Sequence, residues 1–214
     1  EQKSVPHEAY LHVLRGRKLN SKGSMEDYMK ALDEFKMAGM IAPNYLDAHV
    51  DLALNYLILA QQKKMNVNDA NREAFKSIQK ALAIDPLNAK TRSLKATYHQ
   101  NMGEFDLAEQ AYQKALDSDP DLYVALINFA NMLRNQQRYE KSLALYQKAL
   151  YIAPRSSAAN WAIGSILINL GKFDEALEQY ESCTQLLPEY DACLASLAYV
   201  QRMTNQNQAA NETL

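Results

Sequence analysis

Five times along the chain a small residue, a large one and a second small one stand four and three positions apart. These are Ala31, Phe35 and Ala38; Ala74, Ile78 and Ala81; Ala108, Tyr112 and Ala115; Ser142, Tyr146 and Ala149; and Ala176, Tyr180 and Cys183. Such spacings keep the side chains on one stripe of an α-helix and leave the polar residues between them to the opposite side. A neighbouring helix can approach closely at the small positions while the large side chain fills the gap. Five residues after each triplet comes a proline: Pro43, Pro86, Pro120, Pro154 and Pro188. Proline has no N–H to donate and crowds the residue before it, so each helix is predicted to stop there.

Ten residues beyond each proline stands another small residue, Ala53, Ala96, Ala130, Gly164 or Ala198. Leu52, Phe129, Ile163 and Leu197 just before this slot, with Tyr56, Leu133 and Leu167 three positions after it, predict an amphipathic first helix. Gly103 and Gly171, two residues ahead of Phe105 and Phe173, punctuate the turn into the second helix, because glycine takes the left-handed conformation that ends a helix. The last three proline intervals are each 34 residues, and a fixed period in this range signals one supersecondary unit copied along the chain. The expected fold is all-α: a solenoid of antiparallel helix pairs forming one domain over 1–214. Its repeats fall at approximately 6–45, 46–88, 89–122, 123–156 and 157–190, about five full units, with a partial sixth at 191–214.

This arrangement resembles the tetratricopeptide repeat, which implies a right-handed superhelix and a non-catalytic role in binding proteins or peptides. The first interval, Pro43 to Pro86, carries nine extra residues near 61–69, read as a longer first helix and a polar loop with Asn68 or Asp69 capping the next helix. The opening unit is also distinctive, with Ala9-Tyr10-Leu11 leading to Leu14-Arg15-Gly16-Arg17, a turn at Lys22-Gly23 and a second helix from about Met25. Together with the long second unit it is similar to the C-terminal repeat regions of bacterial membrane-anchored winged-helix transcriptional regulators of the CadC and ToxR type. That resemblance implies a signal-transduction module in the periplasm or another extracytoplasmic space, with membrane attachment only through a segment upstream of Glu1. The alternatives are a free-standing cytoplasmic scaffold and an envelope lipoprotein that assembles a complex.

In such an array the first helices line a concave face, and side chains seven, eleven, fourteen and fifteen residues after each proline point into it. From Pro120 these are Ile127, Asn131, Arg134 and Asn135; from Pro154, Trp161, Ser165, Ile168 and Asn169; from Pro188 they include Tyr199 and Arg202. Trp161, one position past a slot held by Asn160, is expected either in this groove or rotated into the core. With Ile127, Ile168 and Tyr199 it would form an apolar floor rimmed by asparagine and arginine, the composition of a binding hot spot.

Composition narrows the classes of function. Lys and Arg total 23 against 25 Asp and Glu, a formal net charge of −2, and no segment interleaves basic with aromatic residues, so direct nucleic-acid binding is not expected. No apolar run approaches the roughly 20 residues of a membrane span. No phosphate-cradling glycine loop, metal-ligand spacing or nucleophile motif is present, so no catalytic, cofactor or metal site is assigned. His7, His12, His49 and His99 are scattered and read as surface or packing residues. Cys183 and Cys193 lie on neighbouring helices and are read as buried thiols standing in for alanine, or as a disulfide if the compartment is oxidising. The apolar helix around Leu194, Leu197 and Val200 lacks a full successor, leaving it to a homodimer partner or to residues past Leu214. The polar start at Glu1 predicts a piece of a longer protein.

Overall fold

Each proline closes one helix and opens the next on a fixed count. The computed structural model describes residues 5–204 and 207–213, which contain twelve α-helices. In order these are α1 (His7–Asn20), α2 (Met25–Ile41), α3 (Leu46–Gln61), α4 (Val67–Ile84), α5 (Ala89–Asn101) and α6 (Phe105–Ser118), followed by α7 (Tyr123–Asn135), α8 (Tyr139–Ile152), α9 (Ser157–Asn169), α10 (Phe173–Leu186), α11 (Asp191–Met203) and α12 (Asn207–Thr213). Every residue preceding a repeat proline is extended: φ is −130° at Ala42, −138° at Asp85, −143° at Asp119, −134° at Ala153 and −137° at Leu187. Steric pressure from the proline ring forces this conformation. The N–H of the same residue still bonds the carbonyl of the second small slot, as in Asp119 to Ala115 and Leu187 to Cys183, both 2.9 Å.

The repeat pattern alone predicts one domain, and the helices gather into two compact units, Glu1–Pro120 and Asp121–Leu214. In the first, α1 packs on α2, α3 on α4 and α5 on α6, with α1, α3 and α5 in succession; in the second, α7 packs on α8, α9 on α10 and α11 on α12. Within each unit the small–large–small triplets form the core. Phe35, Ile78 and Tyr112 are fully buried, and Tyr146 and Tyr180 are 1% exposed. Side chains of this size contribute about 1.5–3 kcal/mol each on burial, so these five slots anchor their helix pairs.

Turns within the pairs share one geometry. The N–H after the turn residue reaches back to the first helix, Glu104 to His99, Arg138 to Leu133 and Lys172 to Leu167, each at 2.9 Å. This closure needs a left-handed residue, and Gly103 (φ 76°) and Gly171 (φ 73°) supply it, while Gln137 (φ 61°) and Lys63 (φ 53°) adopt it without being glycine.

The nine extra residues of the second unit are shared out. The helices α3 and α4 have 16 and 18 residues against 13 and 14 in α5 and α6, and the turn at 62–66 takes the remainder. The cap of α4 differs from expectation: Asn66 is the capping residue, accepting from the backbone N–H of Asn68 at 3.0 Å and Asp69 at 3.2 Å. Asn68 and Asp69 lie inside the helix because Asn66 is the residue just ahead of the first turn, where a side-chain oxygen reaches the free amides. In the opening helix, Gly16 packs under Phe35, and Arg17 donates to Asp51 at 2.6 Å and Asp47 at 2.9 Å, tying α1 to α3.

Candidate partner-binding site

Two of the residues expected in the groove, Asn131 and Trp161, are held by core tyrosines. Each tyrosine enters from a second helix, buries its ring beneath the small slot and brings its hydroxyl out at the first helix. Tyr146 donates to Asn131 at 2.6 Å, Tyr180 to the carbonyl of Trp161 at 3.4 Å, and Tyr112 to Gln100 at 3.0 Å in the first unit. Burial pushes the Tyr112 and Tyr146 hydroxyls up to about 12 and raises that of Tyr180. All three are therefore fixed as neutral donors at neutral pH.

Asn160 occupies the slot just before Trp161. It is 2% exposed, donates to the carbonyls of Pro154 at 3.0 Å and Ser156 at 2.9 Å, and accepts from Gln179 at 3.1 Å. The same slot bonds the same proline carbonyl elsewhere: His49 to Pro43 at 2.7 Å and Arg92 to Pro86 at 3.1 Å. A polar residue here satisfies a carbonyl that the proline turn leaves without an amide partner. His49 and Arg92 are thereby assigned to structure, and His12 and His99 pair with Glu34 and Glu104, each at 2.6 Å.

With Asn160 taking the buried position, Trp161 sits half-buried at the edge of the second unit's core. Its indole N–H donates to the Ser196 hydroxyl of α11 at 3.1 Å, and the guanidinium of Arg134 on α7 lies over its ring, 5.4 Å from the centroid. One side chain thus connects three successive first helices. Cation–π contacts of this kind contribute about 0.5–1 kcal/mol when exposed and more when desolvated. Ile127 and Ile168 are half-buried against the same core. Asn135, Asn169 and Arg202 are exposed, Tyr199 is 52% exposed, and Ser165 is half-buried with its carbonyl accepting from Asn169 at 2.7 Å. The structure therefore brings Arg134, Trp161 and Ser196 into contact, seats Asn131 on Tyr146, and leaves Asn135, Asn169, Tyr199 and Arg202 exposed. Ser196 falls eight residues after Pro188, outside the groove spacing applied to the sequence; only the one-position displacement of Trp161 hinted that a neighbour would be needed there.

Cys183 and Cys193, both fully buried, are joined as a disulfide with their Cα atoms 6.1 Å apart, linking the end of α10 to the start of α11. Among the described residues no helix is long and apolar enough to cross a membrane.

Family models of the tetratricopeptide repeat match residues 89–122 and 121–189. Among solved structures, pilF of Pseudomonas aeruginosa is 26% identical over 78% of this chain and 72% of its own, with a TM-score of 0.68. PilW, described as a widely conserved type IV pilus biogenesis factor, is 19% identical over 97% and 91% with a TM-score of 0.77. TTC0263, a tetratricopeptide repeat protein of Thermus thermophilus, is 17% identical over 91% and 99% with a TM-score of 0.71. No curated protein matches the chain. Residues 89–189 are tetratricopeptide repeats, and helix pairs of the same build precede and follow them.

Proposed function

We propose that this tetratricopeptide-repeat chain is a non-catalytic scaffold whose second unit docks a peptide or partner protein across α7, α9 and α11, centred on Trp161. The observation that carries the reading is the Arg134–Trp161–Ser196 contact. It holds a large aromatic half-buried at the edge of the second unit's core, with part of its surface exposed to a partner. None of the ten groove positions is acidic, whereas Arg134 and Arg202 are cationic, so the groove suits a partner with an apolar anchor and a neighbouring carboxylate. The buried disulfide favours an oxidising, extracytoplasmic compartment.

Trp161 is the chain's single tryptophan, so it reports on its own site. Peptides selected from a displayed library against the wild-type chain should shift Trp161 fluorescence and lose binding with Arg134→Ala. Trp161→Ala should lose both binding and some stability, since half its surface is packed. Selected peptides that bind both variants as tightly as wild type, with no change in emission, would place the partner elsewhere.

A second reading, the effector region of a membrane-anchored transcriptional regulator, rests on the resemblance of the opening helix, Ala9 to Arg17, to the first repeat of such proteins. Sequencing upstream of Glu1 tests it: an apolar span behind a winged-helix domain supports the regulator, and a lipoprotein signal supports the scaffold.

A further inference from the structure

The cleft between successive second helices carries opposite charge in the two units. In the first, a cleft of about 500 Å³ runs over Leu52 and Tyr56 of α3, and its walls on α2 and α4 carry Lys36, Lys76 and Lys80 against the one carboxylate of Glu73. In the second, a cleft of about 360 Å³ runs over Ile163 and Leu167 of α9, and its walls carry Gln147, Glu175, Glu178 and Ser182. The two correspond position by position in the repeat. Counted back from the following proline, Lys36 matches Gln147, Lys76 matches Glu178 and Lys80 matches Ser182.

These charges are largely uncommitted. Glu73 takes Lys76 at 2.8 Å, and among the described residues Lys36 and Lys80 have no carboxylate within ion-pair distance. At the start of α10, Lys172 takes Glu175 at 2.9 Å, and Asp174, Glu178 and Glu181 are exposed with no cation paired to them among the described residues. Asp174, Glu178 and Glu181 follow one another at i, i+4 and i+7, a single acidic stripe on the helix surface. A net charge of only −2 opposes association of two copies weakly.

We propose that a second copy of this chain occupies the basic cleft, with the acidic stripe of α10 of one copy seated between Lys36 and Lys80 of the other. The contact joins unlike surfaces and rests on charge complementarity, so it is weakened by salt. It is separate from the Trp161 groove, and Arg134→Ala leaves it unchanged.

Sedimentation equilibrium of the full chain at rising concentration, in low and in high salt, tests it. The wild type should associate with concentration at low salt and return to monomer at high salt. Lys36→Glu with Lys80→Glu should lower the association constant by roughly tenfold or more, as should Glu178→Lys with Glu181→Lys. Circular dichroism should show both variants folded, since every substituted side chain is exposed. An equimolar mixture of the two variants should associate where neither does alone, because each then offers the other a complementary cleft and stripe. A wild type that stays monomeric at low salt overturns the proposal, as do reversed variants that associate like wild type or a mixture that remains monomeric.

Discussion

Gly164 lies under the ring of Tyr180 so closely that a Cβ there would stand 2.5 Å from Cζ, and the ring has nowhere to go because it is 1% exposed. Gly164→Ala is expected to destabilise the chain by about 1–3 kcal/mol through overpacking. In a Tyr180→Ala background the same change should turn neutral or stabilising, since alanine is the better helix former by up to about 1 kcal/mol. A double-mutant cycle followed by urea denaturation reads the difference, and an equal cost in both backgrounds would show that the ring is not the cause. Because Tyr180 also donates to the carbonyl of Trp161, Gly164→Ala should weaken peptide binding as well.

Most of the helix framework was legible because it rests on short-range sterics. A proline fixes the residue before it, and the three residues from each repeat proline to the next helix start do not vary, as at Pro86 and Ala89 or Pro154 and Ser157. The small slots were legible for the same reason, since only small side chains lie beneath Phe35 or Tyr180. The Arg134–Trp161–Ser196 contact was legible in part. Spacing put Arg134 and Trp161 on one face, where they meet, but the Ser196 partner of Trp161 depends on how α9 meets α11, which no local pattern encodes. The Asn66 cap was missed because any of three neighbouring polar residues could start α4, and only the backbone path selects one.

Gln137 sits at the left-handed turn position that glycine holds at Gly103 and Gly171, with φ at 61°, and its side chain is exposed. Left-handed backbone costs a non-glycine residue about 1–2 kcal/mol, offset in part by the greater unfolded-state freedom of glycine. Gln137→Gly is therefore expected to raise stability by about 0.5–1 kcal/mol, seen as a higher urea midpoint with unchanged slope. A lower midpoint would mean that the Gln137 side chain makes a contact worth more than the strain.

The buried tyrosines predict a loss of stability in alkali. The hydroxyls of Tyr112 and Tyr146 are raised from 10.0 to about 12 by burial, so above pH 10 the unfolded chain releases protons that the folded chain keeps. The folded state binds more protons, so the stability that is fully present below pH 10 is lost as pH rises from 10 to 12. Denaturant midpoints across the window should fall less steeply for Tyr112→Phe with Tyr146→Phe than for wild type. Identical slopes would show that the hydroxyls ionise in the folded state as readily as in water.

The Cys183–Cys193 bond closes a loop of sequence separation 10 across the turn that carries Pro188, and it ties α11, which supplies Ser196 to Trp161, back to α10. A cross-link over so short a loop restricts the unfolded chain by about 2.5–3 kcal/mol in the loop-entropy account. Reductant should therefore lower the urea midpoint of the wild type, while Cys183→Ala with Cys193→Ala should start lower and ignore reductant. Hydrogen exchange should localise the loss to α10 and α11, because the disulfide joins those two helices and the neighbouring ones are held by their own buried slots. Peptide affinity at the Trp161 groove should fall with reduction in proportion to the loosening of α11. A reduced chain that keeps its midpoint and its affinity would mean that packing of Cys183 and Cys193, each fully buried, holds the two helices without the bond.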